Sequence, residues 1–263
     1  MKIKVNGINI NYRIDGPEEA PWVTMSNSLA TTHRMWDAQM DAFTKRYRVL
    51  RYDKRGHGET DVAPGPYSFE LLADDVLALL EALSIKKTHF VGLSMGGMTG
   101  MTLAVRQPSV LRTLVLCDTA SKDPLGDPAL WQQRIDAVRA GGNMEALVET
   151  TLARFLTSET VKTRPEVADT VRAMVRNTPM EGYIACCQAI AKLNLTDRLS
   201  GITVPTLVLV GADDPATTVE MARTIHQRIT GSELVILKNA AHLSNLEQAA
   251  TFNEAVLGFL ARH

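Results

Sequence analysis

The chain has 263 residues, enough for one large domain or for a domain carrying a sizeable insertion. Hydrophobic residues make up 45% and charged residues 22%, the balance of a soluble globular protein, and a formal net charge of −1 leaves no basic excess to hold a nucleic-acid backbone. No run of about 18 apolar residues offers a membrane span, and no histidine, cysteine or acidic cluster has metal-ligand spacing.

The N-terminal stretch MKIKVNGINI alternates apolar and polar residues like a strand and lacks the apolar core of a secretion signal. Residues 2–5 and 8–14, joined by Asn6-Gly7, read as a hairpin. The three cysteines, Cys117, Cys186 and Cys187, are odd in number and two are adjacent, which argues against a disulfide framework and for a reducing, cytoplasmic location. Residues 22–26 and 47–53 are further strand candidates. Residues 88–94, 112–118, 205–214 and 233–237 are short, apolar and rich in β-branched residues, as buried parallel strands tend to be. Helical spacing of apolar residues marks 68–83, capped by Ser68, together with 95–107, 217–229 and 245–262. Alternating strands and helices predict an α/β fold with a mostly parallel sheet of eight strands and helices on both faces. The alternation lapses between Asp118 and residue 198. There, residues 127–142, 144–156, 165–177 and 179–193 read as helices without a strand. The expected organisation is a core of residues 1–118 and 198–263, with a helical cap of residues 119–197 inserted between two strands.

Chemistry concentrates in three places. VGLSMGG (91–97) sets Ser94 in a G-x-S-x-G pattern, at the point where a buried strand meets a helix. Such a turn has almost no loop, so its neighbours must be small, and it projects the serine at the C-terminal end of the sheet, where α/β folds bind ligands. A serine hydroxyl needs a base, and His242 lies in NAAHLSNLEQ, after the last strand. The chain order serine, acid, histidine also demands an acid on a strand end between them, and VLVGADDPATT offers Asp213 and Asp214. Attack on an acyl carbon then creates an oxyanion, which two backbone N–H groups can stabilise. One belongs to Met95, the residue after the nucleophile. The other is assigned to Leu29 in SNSLATT (26–32), a loop that follows an early strand.

With these motifs in order, the chain resembles the α/β-hydrolases over essentially its full length: DKRGHGET (53–60), GLSMGG, VLVGADDPATT and NAAHLSNLEQ stand in the family's sequence. The resemblance implies the α/β-hydrolase fold. It selects Asp214, three residues after the glycine of its motif, as the acid. It makes RGHG a structural turn, so His57 stays outside the triad. Where the family commonly has His-Gly in the oxyanion loop, this chain has Asn27-Ser28. SNSLATTHRMWDAQ and LWQQRIDAVRAGG are similar to 3-oxoadipate enol-lactonases, which implies a small-molecule ester or lactone substrate and no metal or organic cofactor. The substrate of that group carries a free carboxylate, for which a cation is expected in the pocket. Trp131 and Arg134, three apart on one cap helix, share a face and are the candidates, with Tyr183 and Gln188 behind them. General carboxylesterase, C–C hydrolase, cofactor-free haloperoxidase and non-catalytic binding are the rival uses of such a scaffold.

Overall fold

The structure is a computed structural model that describes residues 1–263. Its strands are β1 (Lys2–Val5), β2 (Ile8–Asp15), β3 (Trp22–Ser26), β4 (Arg48–Tyr52), β5 (Thr88–Leu93), β6 (Leu111–Cys117), β7 (Thr206–Gly211) and β8 (Glu233–Leu237). They form one eight-stranded sheet in the order β1-β2-β4-β3-β5-β6-β7-β8. The β1–β2 and β2–β4 pairings are antiparallel and the other five parallel. Asn6 and Gly7 both have positive φ, as the tight β1–β2 turn requires. Every residue of β5 and of β7 is buried, because helices cover both faces of a parallel sheet. The edge strand β8 has only Leu237 fully buried.

The helices are α1 (Met40–Phe43), α2 (Phe69–Ala82), α3 (Met95–Arg106), α4 (Pro128–Gly141), α5 (Val148–Phe155), α6 (Ser158–Thr163), α7 (Pro165–Arg176), α8 (Met180–Ile190), α9 (Val219–Arg228), α10 (Ser244–Glu247) and α11 (Ala249–Leu260). None is long and apolar enough to cross a membrane. The Ser68 side chain caps α2 by accepting from the Leu71 N–H at 3.2 Å. In α4, Asp127 caps one end and Gly142, at φ 65°, ends the other in the left-handed conformation.

Two stretches depart from the sequence expectation. Residues 245–262 read as one helix but form α10 and α11, broken at Gln248 (φ −122°, ψ 50°). The buried Glu247 carboxylate explains the break. It accepts from the N–H of Ala241 at 2.5 Å and from the N–H and hydroxyl of Thr157 at 2.8 and 2.6 Å, which turns the first segment inward. Residues 33–39, to which the sequence reading assigns no element, form a 3-10 helix capped by Thr32 and anchored by fully buried Met35 and Trp36. Seven residues are too few for helical periodicity to declare itself.

Helices α4 to α8 all lie between β6 and β7, with no strand among them. The two chain passages into and out of this stretch run side by side. Lys122 bridges to Asn194, the Asp123 N–H donates to the Leu193 carbonyl at 3.0 Å, and the Leu195 N–H to the Ser121 carbonyl at 2.7 Å. Adjacent ends let many residues enter the fold without disturbing the sheet.

The first turn of α3 packs against the ends of β3 and β5 at backbone contact. A Cβ on Gly96 would collide with the Ser26 carbonyl, and one on Gly92 with the Gly96 carbonyl. Gly96→Ala is expected to cost about 1–3 kcal/mol of stability, seen as a lower melting temperature. An unchanged melting curve would mean that this contact does not constrain the fold.

Candidate active site

Ser94 joins β5 to α3 with φ 56° and ψ −116°, a conformation that a side chain disfavours and that persists only under constraint. The constraint is visible. Its N–H donates to the Cys117 carbonyl at 2.8 Å, and its own carbonyl accepts from the Met98 N–H at 3.0 Å and the Thr119 hydroxyl at 2.7 Å. With the backbone held, Oγ makes no hydrogen bond to the protein and opens into a cavity of about 630 Å³. His242 lines the same cavity from the loop after β8. No hydrogen bond joins the two side chains, a contact that in serine–histidine pairs commonly tightens only when substrate is bound.

His242 Nδ1 lies 2.9 Å from Asp214 Oδ2 and 3.2 Å from the Thr217 hydroxyl. An Nδ1–H directed at the carboxylate leaves Nε2 free to accept a proton on the cavity side. The loop after β7 fixes the carboxylate: the N–H groups of Ala216 and Thr217 donate to Oδ1 at 2.7 and 3.0 Å, and the Thr217 hydroxyl to Oδ2 at 2.7 Å. Burial alone would raise the Asp214 pKa; the His242 charge and these donors outweigh it and hold the group below the usual carboxylate range. Asp213, its neighbour and sequence rival, is exposed. Phe155 of α5 packs on the imidazole with ring centroids 5.2 Å apart.

The loop 27–31 is buried, so its polar backbone groups need partners. The Ser28 N–H points at Met35 Sδ at 3.3 Å, and the Ala30 N–H donates to His57 Nε2 at 3.0 Å. The Ser28 carbonyl accepts from the Thr31 hydroxyl at 2.9 Å and from Lys54 Nζ at 3.1 Å, and Lys54 also donates to the Asn27 carbonyl. Asn27 Nδ2 closes the loop on the Thr31 carbonyl at 2.6 Å. Among the N–H groups of residues 28–30, that of Leu29 alone has no acceptor, and Leu29 lines the cavity. Met95, the residue after Ser94, does not line the cavity with its side chain. Its side chain is fully buried, and its N–H, first in α3, has no intrahelical acceptor.

The helices between β6 and β7 form the far wall. Trp131, Arg134 and Tyr183 line the cavity, with the Arg134 guanidinium 4.9 Å from the Trp131 ring centroid. The Trp131 indole N–H is anchored on Asp123 at 2.7 Å. Gln188 is not part of this wall. It is exposed and borders a separate surface hollow, because five positions along α8 turn it well away from the face that carries Tyr183. Sequence reasoning also missed Arg154 of α5, which lines the cavity beside Thr151 and Phe155. Nothing local distinguishes Arg154 from Arg172 and Arg176, yet those two pair with Glu149 and Glu145 at 2.7 Å, whereas Arg134 and Arg154 pair with no carboxylate. Burial first, and then the Arg134 charge, pull the Arg154 pKa below its ordinary value. A helical period on α5 could have placed Arg154 with Thr151, but not said what they face.

A family profile described as the alpha/beta hydrolase fold matches residues 21–249. A 3-oxoadipate enol-lactonase of Acinetobacter baylyi is 36% identical over 97% of this chain and 94% of its own length. The solved enol-lactonase of Burkholderia xenovorans LB400 is 41% identical, covers 99% of this chain and 100% of its own, and superposes with a TM-score of 0.96. A thermophilic esterase from Thermogutta terrifontis, solved with malate bound, is 29% identical, covers 100% of this chain and 98% of its own, with a TM-score of 0.93.

The loop's partner His57 generates a pH prediction. Its Nδ1 is 3.2 Å from the Arg55 carbonyl, and its Nε2 accepts from Ala30, so the native ring is neutral. Burial, and then the Lys54 charge, lower its pKa from 6.5 to about 3. The unfolded chain takes up this proton first, so the stability contributed by His57 is full above pH 6.5 and is lost as pH falls toward 3. His57→Gln, which keeps an acceptor for Ala30, should flatten the fall of urea-unfolding free energy across that window. An equally steep fall would place the acid sensitivity elsewhere.

Proposed function

The chain belongs to the α/β-hydrolase family, and from that premise we propose that it hydrolyses a carboxylate-bearing ester or lactone through Ser94, His242 and Asp214. One observation carries the reading: the cavity that holds Ser94 and His242 also holds two guanidinium groups without a carboxylate partner. Unpaired cations beside a nucleophile suit a substrate that brings its own anion. The names of the enol-lactonase relatives support 3-oxoadipate enol-lactone as that substrate.

In this proposal His242 Nε2 takes the proton of Ser94 as Oγ attacks the lactone carbonyl, and Asp214 steadies the resulting imidazolium. The N–H groups of Leu29 and Met95 receive the oxyanion. Collapse expels the ring oxygen as an enol, which takes the proton from His242 and tautomerises to the ketone. Water, deprotonated by His242, then attacks the acyl-enzyme and releases the acid and the serine. The steps call on no metal or organic cofactor. Residues 119–197 serve as a cap over the core of residues 1–118 and 198–263. Arg134 holds the carboxylate with Arg154 beside it, and Trp131 packs against the ring.

Ser94→Ala should fold normally and lose activity by about 10³-fold or more; near-normal turnover would remove the triad from the mechanism. Arg134→Ala should raise KM for 3-oxoadipate enol-lactone by about 10- to 100-fold, the worth of a charge-assisted hydrogen bond. It should leave a neutral short-chain aryl ester unaffected. Equal turnover of lactone and neutral ester by the wild type, with no effect of Arg134→Ala, would make the protein a general esterase.

A further inference from the structure

Lys54 is an unusual occupant of its position. It follows β4, is 3% exposed, and makes no ion pair. Its ammonium is solvated by two consecutive loop carbonyls, those of Asn27 and Ser28. Charged lysines are seldom fully buried without a counter-charge, and keeping one so costs stability. The nearby charged and titratable groups are committed elsewhere. Asp53 accepts from the N–H and ring of His33 at 2.7 and 3.0 Å and from Asn11 at 2.8 Å. Arg55 is bidentate on Asp75 at 2.8 and 2.6 Å. His57 is neutral, and the buried Cys186 thiol of α8 has its pKa pushed up by burial first.

The Ser28 carbonyl belongs to the same peptide unit as the Leu29 N–H. A peptide is conjugated, so a cation on its oxygen withdraws electron density from its nitrogen and makes the N–H a stronger donor. In a water-poor interior that influence is weakly screened. We infer that Lys54 is a positioning residue of the oxyanion hole, acting through the Ser28–Leu29 peptide to strengthen and aim the Leu29 N–H. The inference rests on the reading of Leu29 as an oxyanion donor. The Thr31 hydroxyl on the same carbonyl fixes the peptide plane, and Lys54 supplies the charge.

The charge also makes the effect pH-dependent. Burial lowers the Lys54 pKa to about 7, so the ammonium is present below that pH and lost above it. The rate constant kcat should therefore fall on the alkaline side as Lys54 loses its proton.

The test uses the full-length protein with a neutral aryl ester, so that the arginines are not at issue, and an alkyl boronic acid whose serine adduct places an oxygen in the oxyanion hole. Lys54→Gln keeps a donor and removes the charge. It should lower kcat about 10- to 100-fold, leave KM within about threefold, weaken the boronate by the same factor as kcat, and abolish the alkaline limb. Lys54→Arg should keep most of kcat and shift that limb to higher pH. A folded Lys54→Gln protein with kcat and boronate affinity within about threefold of wild type overturns the inference. A wild-type kcat that stays flat to roughly pH 9 also overturns it, and this measurement requires no variant to fold. Ser94→Ala separates the two failures. An active Ser94→Ala sinks the triad itself, whereas an inactive Ser94→Ala beside a fully active Lys54→Gln sinks only the role of Lys54.

Discussion

Backbone contact between the first turn of α3 and the ends of β3 and β5 organises this protein. It exists because Gly92 and Gly96 have no Cβ to hold the segments apart. The contact forces the chain through Ser94 at φ 56°, a strain of about 1–3 kcal/mol that surrounding hydrogen bonds to Cys117, Met98 and Thr119 sustain. In return, the serine hydroxyl stands clear of the sheet. The loop after β3 also arrives at the same cavity, through Ser28, Leu29 and Ala30, because Gly96 seats directly on Ser26. One steric allowance thus sets Ser94 and brings the loop after β3 beside it.

The loop after β3 illustrates a second constraint, the need to satisfy buried polar groups. Its side chains are small, but its shape is set from outside by Met35, His57 and Lys54, which take up the N–H groups of Ser28 and Ala30 and the carbonyls of Asn27 and Ser28. The segment DKRGHG therefore serves as a brace. Asp53 ties the start of the 33–39 helix to the Glu59 N–H, Arg55 locks onto Asp75, and His57 and Lys54 reach under the loop. Asn27 and Ser28, in place of the usual His-Gly of the family, fit because Asn27 turns its amide onto the Thr31 carbonyl. A buried donor without a partner normally destabilises a fold. Leu29, whose N–H has no acceptor, is only half-buried and lines the cavity.

The far wall is coupled to the loop that carries His242. Phe155 packs on His242, its carbonyl accepts from the Leu243 N–H at 2.9 Å, and Glu247 links Ala241 to Thr157. Arg164 adds contacts to the carbonyls of Leu246 and Glu247 at 3.1 and 3.0 Å. The end of α5, which carries Arg154, and the junction of α6 and α7 at Arg164 are therefore fastened to the segment that carries His242.

The sheet, the strand-to-helix turn at Ser94 and the positions of His242 and the Asp213-Asp214 pair were all legible in the residues alone. All of these depend on local rules: hydrophobic period, small residues at a sharp turn, and chain order within a known topology. The sequence did not reveal the break at Gln248, because the cause is a carboxylate bonded to residues 6 and 90 positions away along the chain. It also left Arg154 indistinguishable from arginines that pair on the surface, and Lys54 indistinguishable from any lysine near a turn. Charge, unlike hydrophobicity, carries no period that says where a side chain points. Whether a cation meets a carboxylate, solvent or a loop carbonyl is decided by segments that only the tertiary structure brings together.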